Sequence, residues 1–253
     1  MYPKISIITP SFNQGKFIEK TIKSVINQNY QNYEHIIVDG GSTDETLDIL
    51  KKYKDKITYI SEDDNGQVDA INKGIKIASG EIISFINSDD YYLPNVFKLI
   101  YEKFKNPDVF WLTGDSIIVD EDDKEIHRLI RFYKKSIRNI NSICVLYFTN
   151  FICQPSTFWR KNFYNSIGFF DEKLSYVFDY KQWILMYRKI KPIIINTKIS
   201  AFRIHKNSKG NLFYNNQFDE EIKVLESLNV NKVLLSLHKI SNKLIKVVYS
   251  LIK

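Results

Sequence analysis

The first part of the chain alternates four times between a short apolar segment and an amphipathic one. The apolar segments occupy residues 4–9, 35–38, 57–61 and 81–86. Isoleucine and valine are frequent in them, as in buried strands, whereas Ile18, Ile22 and Val25 recur at helical spacing after the first. Strands that alternate with helices at such short spacing favour parallel pairing through crossover connections. We therefore predict an α/β fold with a doubly wound, Rossmann-like and mostly parallel central sheet flanked by helices.

Polar residues follow the predicted strands where the chain leaves the sheet. They are Asn13, Asp39, Glu62, Asp64, Asp89 and Asp90. Ligands of open α/β sheets bind at the carboxyl ends of the strands, so we expect these side chains to converge on one rim. Asp89 and Asp90 share a short turn, where two carboxylates suit Mg²⁺ or Mn²⁺. Taken alone, however, such a pair is more typical of a solvated turn.

The chain is suited to anionic ligands but has no glycine-rich loop to bind phosphate. Its formal net charge is +7, which fits nucleotide phosphates, nucleic acid or an anionic membrane surface as partners. Neither the G-x-G-x-x-G pattern of dinucleotide-binding folds nor the G-x-x-x-x-G-K pattern of P-loops occurs. An acidic rim without such a loop needs a metal ion to hold a diphosphate.

The cysteine content and the N-terminal sequence predict a cytoplasmic location. Cys144 and Cys153 are the two cysteines, which are too few for a disulfide framework and do not have the spacing of a metal site. We identify no signal peptide before the first strand and no apolar run long enough to span a bilayer. A reducing environment is therefore expected.

The second half of the chain has a less regular pattern. Residues 110–115 and 116–119 predict two strands, followed by a charged hairpin turn at residues 120–123. Residues 154–159 are expected to be extended because a proline follows the first of them. A helix is predicted over residues 178–187.

From residue 231 the pattern becomes that of an amphipathic basic helix. Its apolar positions are Val233, Leu237, Ile240, Leu244, Val247 and Leu251. Five lysines and no acidic residue lie between residues 232 and 253. Two interpretations are open. The helix packs on the domain with its lysines in water, or it contacts an anionic membrane surface and makes the protein peripheral at the inner face of the cytoplasmic membrane.

Taken together, the motifs resemble those of the family 2 glycosyltransferases, which have the GT-A fold. Six strings occur in the order of that family: TPSFN at 9–13, DGGSTD at 39–44, DNGQVDAINKG at 64–74, NSDD at 87–90, QPST at 154–157 and FDY at 178–180. The resemblance covers roughly residues 3–210. It is strongest to bacterial enzymes that build O-antigen, capsule, lipopolysaccharide or related polysaccharides.

The resemblance implies a reaction and a domain plan. A sugar would pass, with inversion, from a nucleoside diphosphate sugar, most plausibly a UDP-sugar, to a glycan or a polyprenyl-diphosphate-linked acceptor. The glycosyltransferase domain would occupy residues 1–213, with a nucleotide-sugar half at about 1–115 and an acceptor half at about 116–213. Residues 214–253 would form a helical basic extension.

The resemblance also implies roles for two carboxylate sites. Asp90, aided by Asp89, would bind the Mn²⁺ or Mg²⁺ that neutralises the leaving diphosphate. Asp179 would be the catalytic base that takes the proton of the acceptor hydroxyl. Its neighbours Phe178 and Tyr180 favour partial burial, which raises a carboxyl pKa. The alternative is a helix N-cap, and many relatives carry an acidic residue where this chain has Phe178.

Further residues match substrate-binding positions of the family. The implied substrate contacts are Pro10, Ser11, Asn13, Asp39, Glu62, Asp69, Asn72, Ser88, Asp89, Gln154, Arg203 and His205. Asp39 would meet the uracil or ribose, and Gln154 would line the acceptor side. Ordinary helix polarity is an equal explanation for Asp69 and Asn72, exposed polarity for Glu62, and His205 is more often structural in type.

Three rival functions are less consistent with the sequence. A sugar nucleotidyltransferase usually has a glycine- and lysine-rich loop near the N-terminus, whereas residues 11–15 contain one glycine and no internal lysine or arginine. A nucleic-acid-binding protein would not be expected to present an acidic rim, so we predict no nucleic-acid partner. A non-catalytic sugar-binding relative would not need intact Asp90 and Asp179.

Overall fold

A computed structural model of the chain describes residues 3–208 and 214–252. Its strands are β1 (Ile5–Ser11), β2 (Tyr33–Asp39), β3 (Thr58–Ser61), β4 (Ile82–Phe85), β5 (Tyr91–Tyr92), β6 (Trp111–Val119), β7 (Glu125–Ile126), β8 (Thr157–Arg160) and β9 (Ile193–Arg203). Its helices are α1 (Ile18–Ile26), α2 (Thr46–Lys52), α3 (Gln67–Ile77), α4 (Val96–Phe104), α5 (Arg128–Ile140), α6 (Ile143–Phe148), α7 (Lys161–Asn165), α8 (Phe178–Lys189), α9 (Tyr214–Ser227) and α10 (Lys232–Ile252). A 3₁₀ turn, Gln154–Ser156, precedes β8.

The strands form one sheet in the order β3-β2-β1-β4-β8-β6-β9-β5, with β7 paired to β6. Strands β3, β2, β1 and β4 are parallel, as the alternating pattern predicted. Beyond them the sheet is mixed, because β8 runs antiparallel to both β4 and β6, whereas β6 and β9 are parallel. The predicted α/β fold with a central sheet flanked by helices is confirmed.

Close packing of a helix on the sheet and a cluster of buried tryptophans form the core of the domain. The inner face of α3 packs on β1, and Gly74 lies so close to Ile8 that an added Cβ would approach Ile8 Cγ2 to 2.5 Å. Beyond α3, the core is built around Trp111, Trp159 and Trp183, none of which is exposed. These tryptophans therefore stabilise the domain as part of its hydrophobic core.

Three local predictions are wrong. Residues 154–156, expected to be extended, form a 3₁₀ turn in which the Ser156 N–H donates to the Cys153 carbonyl at 3.0 Å, and the strand begins only at Thr157. The two strands expected at residues 110–119 are one strand, β6, with register shifts near Asp115, because Gly114 permits the close approach of Ile199 and does not form a turn. The S-T-D-E string at residues 42–45 has the spacing of a capping box, which predicts that a helix opens there, but no such cap forms. Helix α2 starts at Thr46, whose N–H donates to Asp44 Oδ1 at 3.0 Å, while Ser42 bonds elsewhere.

The C-terminal helices pack on the second half of the domain. Helix α10 contacts α6 and α9, and its buried side includes His238, Ser241 and Asn242. Val233, Leu237, Ile240 and Leu244 are exposed. The side chains of Val247 and Leu251, and the predicted domain boundary at residue 213, lie outside the described residues. Within the described part of the chain, no helix is both long and apolar enough to cross a membrane.

Candidate active site

A cavity of about 860 Å³ lies at the carboxyl ends of β1, β2 and β4. Both halves of the chain contribute to it. The first half supplies Pro10, Ser11, Gly40, Asp64, Ser88 and Asp89, and the second half supplies Gln154, Asp179, Arg203, His205, Gln217 and Glu221. Its size is that of a small-molecule or cofactor site.

Asp89 and His205 form a polar pair at this cavity. His205 Nε2 lies 3.0 Å from Asp89 Oδ2, and both residues line the cavity. The imidazole is held by the ring of Phe17, with a centroid distance of 4.7 Å. Asp89 is half-buried and His205 is buried, so the pair places one carboxylate oxygen in a fixed position beside the cavity.

Asp90, predicted as the first metal ligand, occupies a different environment. Its carboxylate is buried and is absent from the cavity lining. Oδ1 accepts a hydrogen bond from the backbone N–H of Arg203 at 2.8 Å, and Thr21 Oγ1 donates to the Asp90 carbonyl at 2.6 Å. Burial, followed by the charge of Asp89, raises the pKa of Asp90 well above its usual range. Asp90 therefore joins the turn to β9, and Asp89 is the carboxylate that faces the cavity.

The Arg203 guanidinium holds the same turn in place. Nε donates to the Asp89 carbonyl at 2.9 Å, Nη1 to the Asp120 carbonyl at 2.9 Å, and Nη2 to Asp123 Oδ1 at 2.6 Å. The side chain is buried and lies over the ring of Phe17 at 5.0 Å. Although Arg203 lines the cavity, these bonds make it a positioning residue for Asp89.

At the carboxyl end of β1, one buried side-chain oxygen has no hydrogen-bond partner among the described residues. Ser11 Oγ is buried and has no hydrogen-bond partner within residues 3–208 and 214–252. Asp39, in contrast, is fully buried, and its carboxylate accepts bonds from Ser42 N at 2.9 Å, Ser42 Oγ at 2.5 Å and Ser61 Oγ at 2.8 Å. Asp39 shapes the loop behind Gly40, whereas Pro10, Ser11 and Gly40 line the cavity itself.

Four predicted substrate contacts besides Asp39 are not brought to the cavity. Asn13, at φ 51°, accepts the Thr43 N–H at 2.9 Å. Asn72 is buried and exchanges hydrogen bonds with the backbone of Phe170. Asp69 accepts the Asn65 N–H at 3.0 Å, which lowers its pKa, and Glu62 pairs with Lys73 at 2.9 Å. The structure gives all four a role in holding loops and helices together.

Three amides connect the two halves across the cavity. Gln67 Nε2 donates to Asn87 Oδ1 at 2.8 Å, and Asn87 Nδ2 donates to Gln154 Oε1 at 3.4 Å. Gln154 Nε2 in turn donates to the Phe85 carbonyl at 2.7 Å. Gln154 thus lines the cavity as expected, with its side chain oriented by the end of β4.

Asp179 lies in the first turn of α8 and faces the cavity. The N-cap is Val177, so the alternative interpretation of Asp179 as the cap is wrong. Its Oδ1 accepts the Tyr180 N–H at 2.7 Å. Burial raises the pKa of Asp179 to about 6, the charge of Glu221 acts in the same direction, and Lys134 opposes it. Such a carboxyl can exchange a proton near neutral pH.

Comparison with known proteins gives the family. The model of "Glycosyl transferase family 2" matches residues 6–168. The chain belongs to this family. It is 32% identical over 224 residues to an uncharacterized glycosyltransferase of Rickettsia prowazekii, covering 84% of this chain and 68% of that protein. It is 35% identical over 134 residues to TuaG of Bacillus subtilis, whose name provisionally assigns it to teichuronic acid biosynthesis; the match covers 49% and 53% of the two chains.

Solved structures of low sequence identity share the fold. A crystal structure of S. aureus TarS in complex with UDP-GlcNAc superposes with a TM-score of 0.67 at 19% identity, covering 93% of this chain and 70% of that one. The mannosyltransferase PcManGT of Pyrobaculum calidifontis, in complex with GDP-Man and Mn²⁺, has a TM-score of 0.66 at 16% identity, covering 95% and 74%. This family 2 glycosyltransferase therefore has the GT-A fold.

The side chains that face the cavity fit a divalent cation whose remaining ligands come from a bound substrate. In residues 3–208 and 214–252 no three His, Cys, Asp or Glu side chains are grouped closely enough to enclose a metal ion. Asp89 supplies one carboxylate, and His205 lies against it. Mg²⁺ sites that use one or two carboxylates together with substrate phosphates have this composition.

Sequence reasoning missed the contribution of the C-terminal helices to the glycosyltransferase site. Gln217 and Glu221 of α9 line the cavity, although they lie in the predicted extension. Glu221 is bonded to His238 Nε2 at 3.1 Å. Glu220 accepts the N–H groups of three residues that precede α8, namely Ser175, Tyr176 and Val177. The helical periodicity of α9 gave no signal that its acids reach the site of Asp179.

Proposed function

We propose that this glycosyltransferase moves a sugar from a nucleoside diphosphate sugar, favouring a UDP-sugar, to a hydroxyl group of a glycan or a polyprenyl-diphosphate-linked acceptor. The observation that carries the proposal is that Asp89, from the first half, and Asp179, from the second, line one cavity. The provisional assignment of TuaG to teichuronic acid biosynthesis supports a role in bacterial cell-surface polysaccharide synthesis.

The donor binds at the β1, β2 and β4 end of the cavity. Ser11 Oγ, which is buried there without a described partner, donates to a nucleotide oxygen. Asp89 would hold Mn²⁺ or Mg²⁺, which would neutralise charge on the leaving diphosphate. The UDP-GlcNAc of TarS and the GDP-Man and Mn²⁺ of PcManGT support a nucleotide-sugar donor with a metal.

The acceptor hydroxyl is activated by Asp179. With a pKa of about 6, the carboxylate is mostly ionised at pH 7 yet remains basic enough to take the hydroxyl proton. The acceptor oxygen then forms a bond to the anomeric carbon as the bond from that carbon to the diphosphate oxygen breaks. Attack from the side opposite the leaving group inverts the anomeric configuration.

The protein works in the cytoplasm at the inner face of the membrane. Four exposed apolar residues of α10, Val233, Leu237, Ile240 and Leu244, lie at spacings of three and four beside lysines of the same helix. An amphipathic helix of this composition suits an anionic lipid surface. If Val233→Ser with Leu237→Ser leaves binding to anionic vesicles unchanged, α10 is not the anchor.

Transfer itself is the test of the proposed function. Purified protein is incubated with Mn²⁺, a panel of UDP- and GDP-sugars, and polyprenyl-diphosphate-linked or soluble glycan acceptors, and the release of nucleoside diphosphate is followed. We expect acceptor-dependent release with one donor, a product of inverted anomeric configuration by NMR, and loss of turnover in Asp179→Asn. Donor binding without turnover on any acceptor would favour a non-catalytic sugar-binding protein.

A further inference from the structure

Helix α5 turns an apolar face away from the protein. Four large side chains are exposed on it: Leu129 (85%), Phe132 (70%), Ile140 (62%) and Tyr133 (48%). Their spacing of three, four, seven and eight residues places them on one side of the helix. Globular proteins usually pack such an apolar stripe against their core. Helix α5 instead exposes it to solvent.

Charges on the inner side of α5 fix this orientation. Arg138 is fully buried, with Nη2 2.8 Å from Asp115 Oδ1 and Nη1 2.9 Å from Cys153 Sγ. Arg131 Nη2 lies 3.7 Å from Asp115 Oδ2. Turning the helix to bury Leu129 and Phe132 would leave the buried Asp115 carboxylate without its cations, which is costly. The apolar face is therefore held outward by the fold.

We propose that the outer face of α5 binds the surface of an anionic lipid bilayer. Helix α5 carries five cations and no acidic residue. Arg128 and Lys135 lie at one edge of the apolar face, and Lys135 forms no ion pair with any residue in 3–208 or 214–252. Leucine and phenylalanine on one side with lysine and arginine at the flanks are typical of helices that lie in the interfacial plane of anionic membranes.

The same charge argues against a second copy of this chain as the occupant. A twofold contact through α5 would place the same patch against itself. Arg128 and Lys135, which lie beside the apolar strip, would then approach the same cations of the other copy, with no acidic residue of α5 to compensate them. An anionic bilayer suits both features. Its acyl boundary can bury the apolar strip, and its head groups can pair with the cations beside that strip.

A second exposed apolar stripe lies on α10. Helix α6 follows α5 after two residues and packs against α10, whose exposed apolar stripe has lysines beside it. Stable surface binding usually needs two weak attractions, and α5 and α10 supply two. Ile130 and Lys134 of α5 also line the active-site cavity. Given the proposed function, a bilayer on α5 would place the head group of a lipid-linked acceptor at the cavity mouth.

Vesicle flotation of the full chain tests the proposal without donor or acceptor, so its failure would leave the proposed transferase function untouched. Vesicles contain phosphatidylcholine alone or with phosphatidylglycerol. We expect wild type to bind the anionic vesicles and Leu129→Ser with Phe132→Ser to lose about tenfold or more in partitioning. Ile77→Ser, which removes an exposed isoleucine from α3, is the matched control and should bind as wild type.

Two further measurements test the role of charge and the folding of the variants. Lys135→Glu should weaken binding to anionic vesicles, whereas Lys54→Glu, an exposed lysine after α2, should not. All variants should keep the wild-type thermal midpoint, since these side chains lie at the surface. Equal binding by wild type and the α5 double variant would overturn the proposal. So would a wild-type dimer in sedimentation velocity that the double variant loses while neither protein floats.

Discussion

Asp89 and Asp90 are consecutive residues whose carboxylates serve different parts of the molecule. The Asp89 carboxylate lies 3.0 Å from His205 at the cavity, whereas that of Asp90 is buried and accepts the Arg203 N–H. The antiparallel pairing of β5 with β9, in which Tyr91 lies opposite Ala201, brings Asp90 beside the end of β9. One turn therefore combines a ligand-facing carboxylate with one that holds the turn in place.

Removing the Asp90 carboxylate should destabilise the fold. Asp90→Ala leaves the buried Arg203 N–H without its acceptor, which costs about 1–3 kcal/mol. Asp89→Ala should change the free energy of unfolding by less than about 1 kcal/mol, because this carboxylate faces the cavity. Urea unfolding of the two variants checks the difference. Equal losses would contradict the assignment of separate roles.

The raised pKa of Asp179 predicts the acidic limb of the pH–rate profile. Since a base must be deprotonated, kcat should fall as the pH drops below about 6. Asp179→Asn should lower kcat by about 10²–10⁴-fold while nucleotide affinity stays near that of wild type. Steady-state kinetics from pH 5 to 8, with calorimetry for the nucleotide, measure both. A flat profile for wild type would exclude this base.

Glu221→Gln should shift the acidic limb of the pH–rate profile to lower pH. The negative charge of Glu221 raises the pKa of Asp179, so its removal lets Asp179 ionise at lower pH. We expect higher relative kcat at pH 5.5 and little change at pH 7.5, where the wild-type base is already ionised. Glu226→Gln, an exposed carboxylate on the same helix paired with Lys239, is the control and should leave the profile in place. A shift in the opposite direction would refute the coupling.

Glu220 should support the segment that precedes α8, the helix that carries the proposed base. Its carboxylate accepts three successive N–H groups at 2.7–3.0 Å, and hydrogen bonds to an ionised acceptor are the stronger kind. Glu220→Ala should cost about 1–3 kcal/mol of unfolding free energy and lower kcat more than it changes the donor KM. Glu220→Gln keeps one acceptor oxygen and should recover part of both. Wild-type kcat in Glu220→Ala would show that α9 does not position Asp179.

His35 predicts acid sensitivity of the fold. Its ring is buried beside Thr9 Oγ1 at 2.9 Å, and burial lowers its pKa from 6.5 to about 3. Between these values the unfolded chain binds a proton that the folded one does not, so stability falls as the pH drops below 6.5. Compared with His35→Leu, wild type should lose up to about 1.4 kcal/mol more per pH unit in this range. Denaturant unfolding at pH 7 and pH 5 gives the two slopes. Parallel slopes would disprove the contribution.

The parts of the fold that depend on local pattern were predictable. The strands and helices of the first half follow from apolar periodicity, and the position of α8 follows from its own sequence. The cavity-facing roles of Ser11, Asp89 and Gln154 agree with the placement of strand-end loops. The predicted capping of α2 is wrong because the Ser42 hydroxyl donates to Asp39 and not to the helix. The spacing of residues 42–45 does not encode this contact.

The remainder of the site depends on contacts between distant segments. The Asp90 carboxylate lies against β9 because β5 pairs with that strand, more than a hundred residues later, and nothing in the NSDD string indicates this pairing. Glu221 reaches the cavity because α9 packs on α8. Neither pairing has a local sequence signal, since each is fixed by packing of the complete domain.

Calorimetry of nucleoside diphosphate binding tests the central claim most directly. UDP and GDP are titrated into wild type, Asp89→Asn and Asp90→Asn, each with and without Mn²⁺. We expect wild type to bind one nucleotide only when Mn²⁺ is present. Asp89→Asn should lose about tenfold or more in affinity, whereas folded Asp90→Asn should retain the metal dependence. Binding that needs neither Mn²⁺ nor Asp89, or no binding of any nucleotide, would contradict the claim.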